Sequence, residues 1–157
     1  MLIKYLSKSS AQTKKLGEIL AKEILKTKPR KKALVLALVG DLGAGKTTFI
    51  KAFLRSFGVS RRITSTTFLI MRKYPLGVKS LKTKANSFKG LYHIDAYRLN
   101  NEKGLLALGI KEILEDSSNI VLIEWADKVK KILPEDAIWI KLRHGESEHE
   151  RVIEIAF

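Results

Sequence analysis

Residues 40–48 limit most strongly what this chain can fold into. They read Gly-Asp-Leu-Gly-Ala-Gly-Lys-Thr-Thr, a complete G-x-x-x-x-G-K-T phosphate-binding loop. The apolar run 33–39 precedes the loop and a helical pattern follows it, which is the context that this motif requires. Glycines let backbone N–H groups close around phosphates, and the following helix directs its positive end to the same anion. The sequence therefore predicts a binding site for a nucleoside triphosphate.

Two side chains of this loop have predicted roles of their own. Lys46 is expected to reach the β- and γ-phosphates, and the Thr47 hydroxyl is expected to ligate Mg²⁺. The predicted nucleotide-contacting residues of the loop are Asp41, Leu42, Gly43, Ala44, Gly45, Lys46, Thr47 and Thr48.

The composition narrows the class of protein. A chain of 157 residues that is 45% hydrophobic has the size of one domain, residues 1–157, with a packed core. Because it contains no cysteine, disulfides, thiolate metal sites and cysteine nucleophiles are excluded. It has neither a membrane-spanning apolar run nor the pattern of a signal peptide at its first residues. We expect a cytoplasmic protein that makes no membrane contact.

The charge balance favours polyanionic partners. The net charge is +14, from 30 basic and 16 acidic residues, and each phosphate that such a surface neutralises releases counterions. However, 22 of the basic residues are lysines and only 8 are arginines, an excess that codon usage alone can produce. Contact with nucleic acid is therefore left open, and any such contact is expected to be independent of base sequence.

Hydrophobic periodicity predicts the elements around the phosphate loop. Residues 2–6 are expected to form a short strand, and Ser9-Ser10-Ala11-Gln12 resembles a capping box that begins a helix. The predicted inner face of that helix contains Leu16, Ile19, Leu20 and Ile24. The helix after the loop is expected to end at Gly58, and its predicted inner face contains Phe49, Ile50, Phe53, Leu54 and Phe57.

The rest of the chain completes an α/β pattern. The predicted elements are strands 68–74 and 91–97, a helical segment 101–115 broken near Gly109, a buried strand 120–123, and a final hairpin of strands 137–142 and 151–156. Residues 75–90 form a long connection with four lysines and no acid. The fold class predicted is an α/β P-loop NTPase domain whose central sheet, flanked by helices, is parallel near the loop and antiparallel elsewhere.

Two acids are candidates for the chemistry. Phosphoryl transfer needs an acid beside the phosphate loop to hold the metal or to orient the nucleophile. Glu124 ends the apolar strand 120–123, which is where α/β folds place such a residue. Asp95 follows another strand and lies close in sequence to His93, Tyr97 and Arg98, and site residues tend to cluster in this way.

The sequence lacks the motif by which GTPases recognise guanine, and this indicates the type of nucleotide. A GTPase would need an N-K-x-D guanine clamp, and the segment Trp125-Ala126-Asp127-Lys128 does not match it. ATP is therefore favoured over GTP. The hydroxyls of residues 65–67 lie where nucleotide switches sense the γ-phosphate, although Ser/Thr runs are common in loops.

Four segments together resemble one known family. They are the phosphate loop, Ser65-Thr66-Thr67-Phe68, His93-Ile94-Asp95-Ala96-Tyr97-Arg98-Leu99, and Ile123-Glu124-Trp125. In this order and spacing they are similar to the bacterial TsaE (YjeE) family, over nearly the whole chain from Thr13 to the final strand. The last two segments are the diagnostic ones, because unrelated proteins share the loop.

The resemblance implies a small ATPase required to make threonylcarbamoyladenosine at position 37 of tRNA. Members of the family have weak or no ATPase activity in isolation. They act by docking onto a TsaD–TsaB-type heterodimer, which consists of the threonylcarbamoyl transferase and its paralogue. The implied cofactors are ATP and Mg²⁺. By position, the catalytic residues are Lys46, Asp95 and Glu124, the metal is held by Thr47 and Glu124, and Thr13 lies near the nucleotide. Trp125 is expected beside the site, and Thr67 in the first switch.

The chain departs from the family pattern in two places. Thr66 replaces a proline of the switch, which removes a fixed φ angle. The 75–90 connection is longer and more basic than is typical. A solvated insertion without a binding role is the favoured interpretation, and the alternative hypothesis is that it contacts tRNA or an acidic partner surface. Arg98 is either a charge stabiliser in the site or a structural partner of an acid such as Glu102.

Two other functions remain alternatives. A small-molecule kinase would need an acceptor pocket and a closing lid, for which the chain has little spare length. A non-catalytic module would use ATP only to set a docking state.

Overall fold

The computed structural model describes residues 1–27, 30–59, 69–76 and 88–157. Strands and helices alternate along most of this length. In chain order the elements are β1 (Leu2–Ser7), α1 (Ser10–Ile24), β2 (Leu34–Val39), α2 (Lys46–Ser56), β3 (Met71–Pro75), β4 (Gly90–Asp95), α3 (Lys103–Ala107), α4 (Ile110–Glu115), β5 (Asn119–Glu124), a 3₁₀ helix (Ala126–Ile132), β6 (Ile138–His144) and β7 (Arg151–Ala156).

The described strands form a single mixed sheet of seven in the order β1-β7-β6-β2-β5-β4-β3. β2 pairs in parallel with both β5 and β6, and β5 pairs in parallel with β4. The outer pairs β1–β7, β6–β7 and β3–β4 are antiparallel. This confirms the predicted mixed sheet, and it brings the carboxyl ends of β2, β4 and β5 to one edge, where α/β folds bind ligands.

The first helix has the predicted cap, and of its four predicted inner residues Leu20 and Ile24 are buried and Leu16 packs against the core. Gln12 N–H donates to Ser9 Oγ at 3.3 Å, and Lys8 N–H donates to the Gln12 side-chain oxygen at 2.8 Å. The predicted inner residue Ile19 is 46% exposed, so that part of the prediction was wrong. The reason is the close approach of α2, because a Cβ at Gly17 would lie 2.7 Å from the Phe49 carbonyl oxygen. The buried residues of α1 are Thr13, Gly17, Leu20, Ala21 and Ile24.

The second helix matches its prediction. All five predicted inner residues are fully buried, and burying each such side chain contributes about 1.5–3 kcal/mol. Gly58 adopts φ 77°, and its N–H donates to the Arg55 carbonyl at 2.9 Å, as a C-terminal glycine cap requires. This burial fixes α2, and with it the end of the phosphate loop, against the sheet.

The remaining elements differ from prediction at their ends. β4 stops at Asp95 rather than at Tyr97, because the Asp95 carboxylate accepts the Tyr97 N–H at 3.0 Å and turns the chain. β3 ends at Pro75, and Leu76 N–H donates to Lys89 O at 2.9 Å, which closes the predicted β3–β4 hairpin. Gly109, with φ 77°, separates α3 from α4 as predicted.

Each face of the sheet carries its own core. Phe53 and Leu36 belong to the core shared with α1 and α2, and Val35 and Leu105 belong to the core on the opposite face. In the ranges that the structure describes, no helix is both long and apolar enough to cross a bilayer.

Candidate nucleotide site

The phosphate loop connects the carboxyl end of β2 to the first turn of α2. Gly40, Gly43 and Gly45 have φ angles of 146°, 75° and 99°, a region that residues with a Cβ rarely adopt. A Cβ at Gly40 would also lie only 2.2 Å from the Leu142 carbonyl oxygen of β6. The glycines are therefore required by the backbone path and by the neighbouring strand.

Gly40→Ala is expected to destabilise the fold severely. The added methyl group meets a backbone carbonyl of β6 and the φ angle is strained, which together cost about 3 kcal/mol or more. Gly109→Ala is the matched control, because its φ of 77° is also unfavourable but its nearest contact is a flexible Glu112 oxygen at 3.5 Å. Urea unfolding of both variants measures the difference, and equal losses of stability would contradict the close approach.

Lys46 is held inside the loop. Its side chain is only 5% exposed, and Nζ donates to the carbonyl oxygens of Gly40 at 2.5 Å and Asp41 at 2.8 Å. Burial lowers the pKa of this amine, and the carboxylates of Glu124, Asp41, Asp95 and Asp127 act in the opposite direction. The two carbonyl oxygens compensate the positive charge of this buried ammonium group only in part. A phosphate chain bound in a loop of this shape would supply the missing negative charge.

Glu124 lies between the first turn of α2 and strand β4. Its Oε2 accepts the Thr47 hydroxyl at 3.4 Å, and its Oε1 lies 2.9 Å from His93 Nε2. Glu124 and His93 are 6% and 2% exposed. The structure therefore brings together the two residues predicted to hold the metal, Thr47 and Glu124, and adds a histidine that was not assigned a role.

Asp95 lies directly beside Glu124. The two residues are register partners in the parallel pair β4–β5, so their side chains leave the same face of the sheet. Asp95 is half-buried, and one of its oxygens accepts the Tyr97 N–H. Both predicted acids thus lie at the sheet edge that carries the phosphate loop.

Trp125 packs over Lys46 from the end of β5. The Lys46 ammonium lies 4.1 Å from the centre of the indole ring, and the centre of the Tyr97 ring lies 5.0 Å from the same point. Trp125 has φ 58°, and it is the sole non-glycine residue with positive φ in the described part of the chain. Such strain is often retained at functional sites. The structure places Trp125 beside Lys46 of the phosphate loop, and its role at a nucleotide site stays a prediction.

A small cavity of about 110 Å³ opens beside the loop. Thr13, which is 1% exposed and bonded to the Ser7 hydroxyl at 2.8 Å, lines this cavity together with Thr48. The β6–β7 hairpin forms the other wall. Two guanidinium nitrogens of Arg151 donate to Gly43 O at 3.3 and 3.1 Å, and His144 Nε2 lies 3.2 Å from Leu42 O. The cavity is lined by Ser10, Thr13, Gly43, Gly45, Thr48, His149 and Arg151.

A larger groove lies at the opposite edge of the sheet. It measures about 1230 Å³ and extends past the amino ends of β2 and β6, where Leu34 and Ile138 begin these strands. Its lining is mainly apolar, and it is separated from the loop by the length of the strands. Volume alone would favour this groove, but the polar groups suited to phosphates lie at the other edge.

The donor set of the site fits Mg²⁺. A threonine hydroxyl and a carboxylate are hard oxygen ligands, and proteins commonly hold Mg²⁺ through one or two such groups together with substrate phosphates. In the described ranges, no three or more His, Asp or Glu side chains gather into a metal site.

Comparison with known proteins identifies the family. The family model described as threonylcarbamoyl adenosine biosynthesis protein TsaE matches residues 7–153. The chain belongs to the TsaE family. A TsaE protein of Bacillus subtilis is 38% identical over 117 residues, and one of Rickettsia conorii is 36% identical over 135 residues. These matches cover 74% and 85% of this chain, and 66% and 67% of those relatives, so the chain spans about two thirds of their length.

A solved structure agrees with the TsaE assignment. The crystal structure of Bacillus subtilis YdiB aligns with 99% of this chain and 84% of its own, with a TM-score of 0.73 and 30% sequence identity. The α/β fold with its mixed sheet is therefore that of a known protein. The switch residues Ser65, Thr66 and Thr67 and most of the 75–90 connection lie outside the described residues.

Sequence reasoning missed three residues of this TsaE site. His93 was noted only as part of a motif, and Arg151 and His144 were assigned to a hairpin without a role. The sequence contains no local signal for the hairpin contacts, because Arg151 is 108 positions from Gly43. For His93 a signal existed, since a histidine two positions before Asp95 on a strand must leave the same face.

Proposed function

We propose that this chain is a Mg²⁺-dependent ATPase of threonylcarbamoyladenosine biosynthesis on tRNA. Two facts support this: membership of the TsaE family, and relatives named tRNA threonylcarbamoyladenosine biosynthesis protein TsaE. The observation that carries the proposal is the 3.4 Å contact between the Thr47 hydroxyl and the Glu124 carboxylate beside the buried Lys46. Such a hydroxyl and acid beside a lysine are the parts that nucleotide hydrolysis requires.

Binding is assigned to the loop and its flanks. The backbone N–H groups of the loop and the Lys46 ammonium receive the phosphates, and Thr13 and Thr48, which line the 110 Å³ cavity beside the loop, contact the nucleotide next to its phosphate chain. Thr47 and Glu124 would hold Mg²⁺, which when bound neutralises charge on the β- and γ-oxygens.

Hydrolysis is assigned to the two acids. Asp95, half-buried and in register with Glu124, is proposed to accept the proton of a water molecule that attacks the γ-phosphorus. The bond from that phosphorus to the bridging oxygen breaks, and ADP and inorganic phosphate are the products. Lys46 stabilises the charge that develops on the transferred group.

The partner is proposed to be the TsaD–TsaB-type transferase heterodimer. Leu42 at the tip of the phosphate loop is 69% exposed and Tyr97 beside Trp125 is 46% exposed. Solvent-exposed apolar side chains around a site are typical of a surface that binds another protein. Such a partner would also exclude water from the nucleotide. Any contact with tRNA is proposed to be indirect or nonspecific, through the net charge of +14.

The test is ATP hydrolysis by the purified chain, alone and with the transferase heterodimer of the same organism. We expect weak turnover alone and a stimulation of at least about tenfold with the heterodimer, because a docked partner completes and dries the site. Equal rates under the two conditions would contradict the proposal. Phosphate appearing on a metabolite rather than in solution would instead indicate a small-molecule kinase.

A further inference from the structure

His93 is buried in the sheet, and its Nε2 contacts the carboxylate of Glu124. The ring is 2% exposed, and Nε2 lies 2.9 Å from Glu124 Oε1. The other ring nitrogen, Nδ1, is also buried and has no hydrogen-bond partner among the described residues. Within the described residues, the imidazole is therefore hydrogen-bonded through Nε2 and not through Nδ1.

This arrangement is unfavourable for a residue that only fills space. An ionised carboxylate can only accept, so Nε2 carries the hydrogen of the His93–Glu124 bond. Nδ1 is then an unpaired acceptor in a neutral ring or an unpaired donor in a charged one, and either costs stability. A leucine would fill the same volume without an unpaired polar atom. The reason to have imidazole at this position is therefore its contact with Glu124.

The contact determines where Glu124 points. With Oε1 bonded to His93, Oε2 is the oxygen directed at the Thr47 hydroxyl, 3.4 Å away. Without the histidine, the bond to Oε1 is lost, and the terminal torsion of a glutamate, which is broad and roughly two-fold, is less restricted. Buried partners of this kind orient the groups that hold a metal, and losing one typically costs about 10- to 100-fold in metal affinity or activity.

We propose that His93 is a positioning residue that holds the Glu124 carboxylate in the orientation needed for the metal and for hydrolysis. This inference rests on the proposed function, which assigns Glu124 to Mg²⁺. Among the hydrogen bonds of the described residues, His93 bonds to Glu124 and to no residue of the phosphate loop, so it acts through Glu124.

The test compares His93→Leu, which removes the donor, with His93→Gln, whose amide places an N–H near the position of Nε2. The first readout is the affinity for a nonhydrolysable ATP analogue with and without Mg²⁺. In His93→Leu we expect unchanged affinity for the analogue without Mg²⁺. The factor by which Mg²⁺ increases this affinity is expected to be about tenfold smaller than in the wild type. His93→Gln is expected to restore most of that gain.

The second readout is partner-stimulated ATP turnover. It is expected to fall by about 10- to 100-fold in His93→Leu and to recover in His93→Gln. Ile94→Val is the matched control, because it loosens the same strand on the face away from Glu124. It is expected to retain wild-type values in both readouts.

The outcomes separate this inference from the proposed function. Wild-type values in His93→Leu for both readouts would overturn the inference, and so would equal losses of affinity with and without Mg²⁺, which indicate a merely structural role. If the wild-type chain does not hydrolyse ATP at all but the Mg²⁺ effect behaves as expected, the proposed ATPase fails while the positioning role stands.

Discussion

Lys46→Ala is expected to remove almost all nucleotide affinity from this chain. The ammonium group is held within 2.5 and 2.8 Å of two loop carbonyls and is positioned for phosphate oxygens. Each hydrogen bond between charged groups contributes about 1.5–3 kcal/mol, and 1.4 kcal/mol is tenfold in affinity. Because Lys46 is expected to contact two phosphates, the loss of nucleotide affinity is expected to reach about 100-fold or more.

The indole of Trp125 provides the measurement. Because this ring lies 4.1 Å from Lys46 Nζ, its fluorescence should change when phosphates draw the ammonium away. Trp139→Phe removes the other tryptophan, and titration with ATP in that background gives the dissociation constant. Lys51→Ala is the control, since it removes a lysine from the same helix outside the loop. Wild-type affinity in Lys46→Ala would show that the loop does not bind ATP through this side chain.

The loop could be predicted from sequence because its determinants are contiguous. The glycines within residues 40–48 allow the positive φ angles of the loop. The apolar run before the loop predicts the strand, and the helical pattern after it predicts the helix. The same holds for Glu124, since the end of a buried strand can be read from the point where the apolar run stops. Local patterns therefore gave the fold class and the positions of both acids.

Contacts between distant residues could not be predicted in this way. His93 and Glu124 are 31 positions apart, and only the parallel pairing of β4 with β5 brings them within 2.9 Å. The exposure of Ile19 has a similar cause. Helical periodicity gives the apolar face of α1, but the position of α2 against Gly17 decides which part of that face is buried.

Glu124→Gln is expected to stop ATP turnover while leaving nucleotide bound. The amide has the shape of the carboxylate and can still accept from His93 Nε2, so the fold and the phosphate loop should be unaffected. It lacks the charge that is proposed to hold Mg²⁺, and we expect turnover with the heterodimer to fall by about 10²- to 10⁴-fold. Release of phosphate and binding of a labelled ATP analogue are measured on the same preparation.

Two further variants show whether the loss of ATP turnover in Glu124→Gln is specific to this acid. Glu115→Gln, an exposed acid paired with Lys32, is the control for removing one negative charge and should behave as wild type. Asp95→Asn should also stop turnover but should retain the affinity gained from Mg²⁺, because the proposed role of Asp95 is toward water. If Glu124→Gln loses ATP binding without Mg²⁺ while its residual turnover is normal, the roles assigned to loop and acid would be reversed.

The same variant decides between an enzyme and a nucleotide-gated module. A module needs ATP only to select the conformation that docks, so a chain that binds ATP without hydrolysing it remains functional. An enzyme that uses hydrolysis to leave its partner would instead stay bound after one round. Glu124→Gln in place of the wild-type gene is therefore expected to abolish threonylcarbamoyladenosine in tRNA and to trap the chain on the heterodimer. Normal levels of the modified nucleoside, measured by mass spectrometry of digested tRNA, would favour the module.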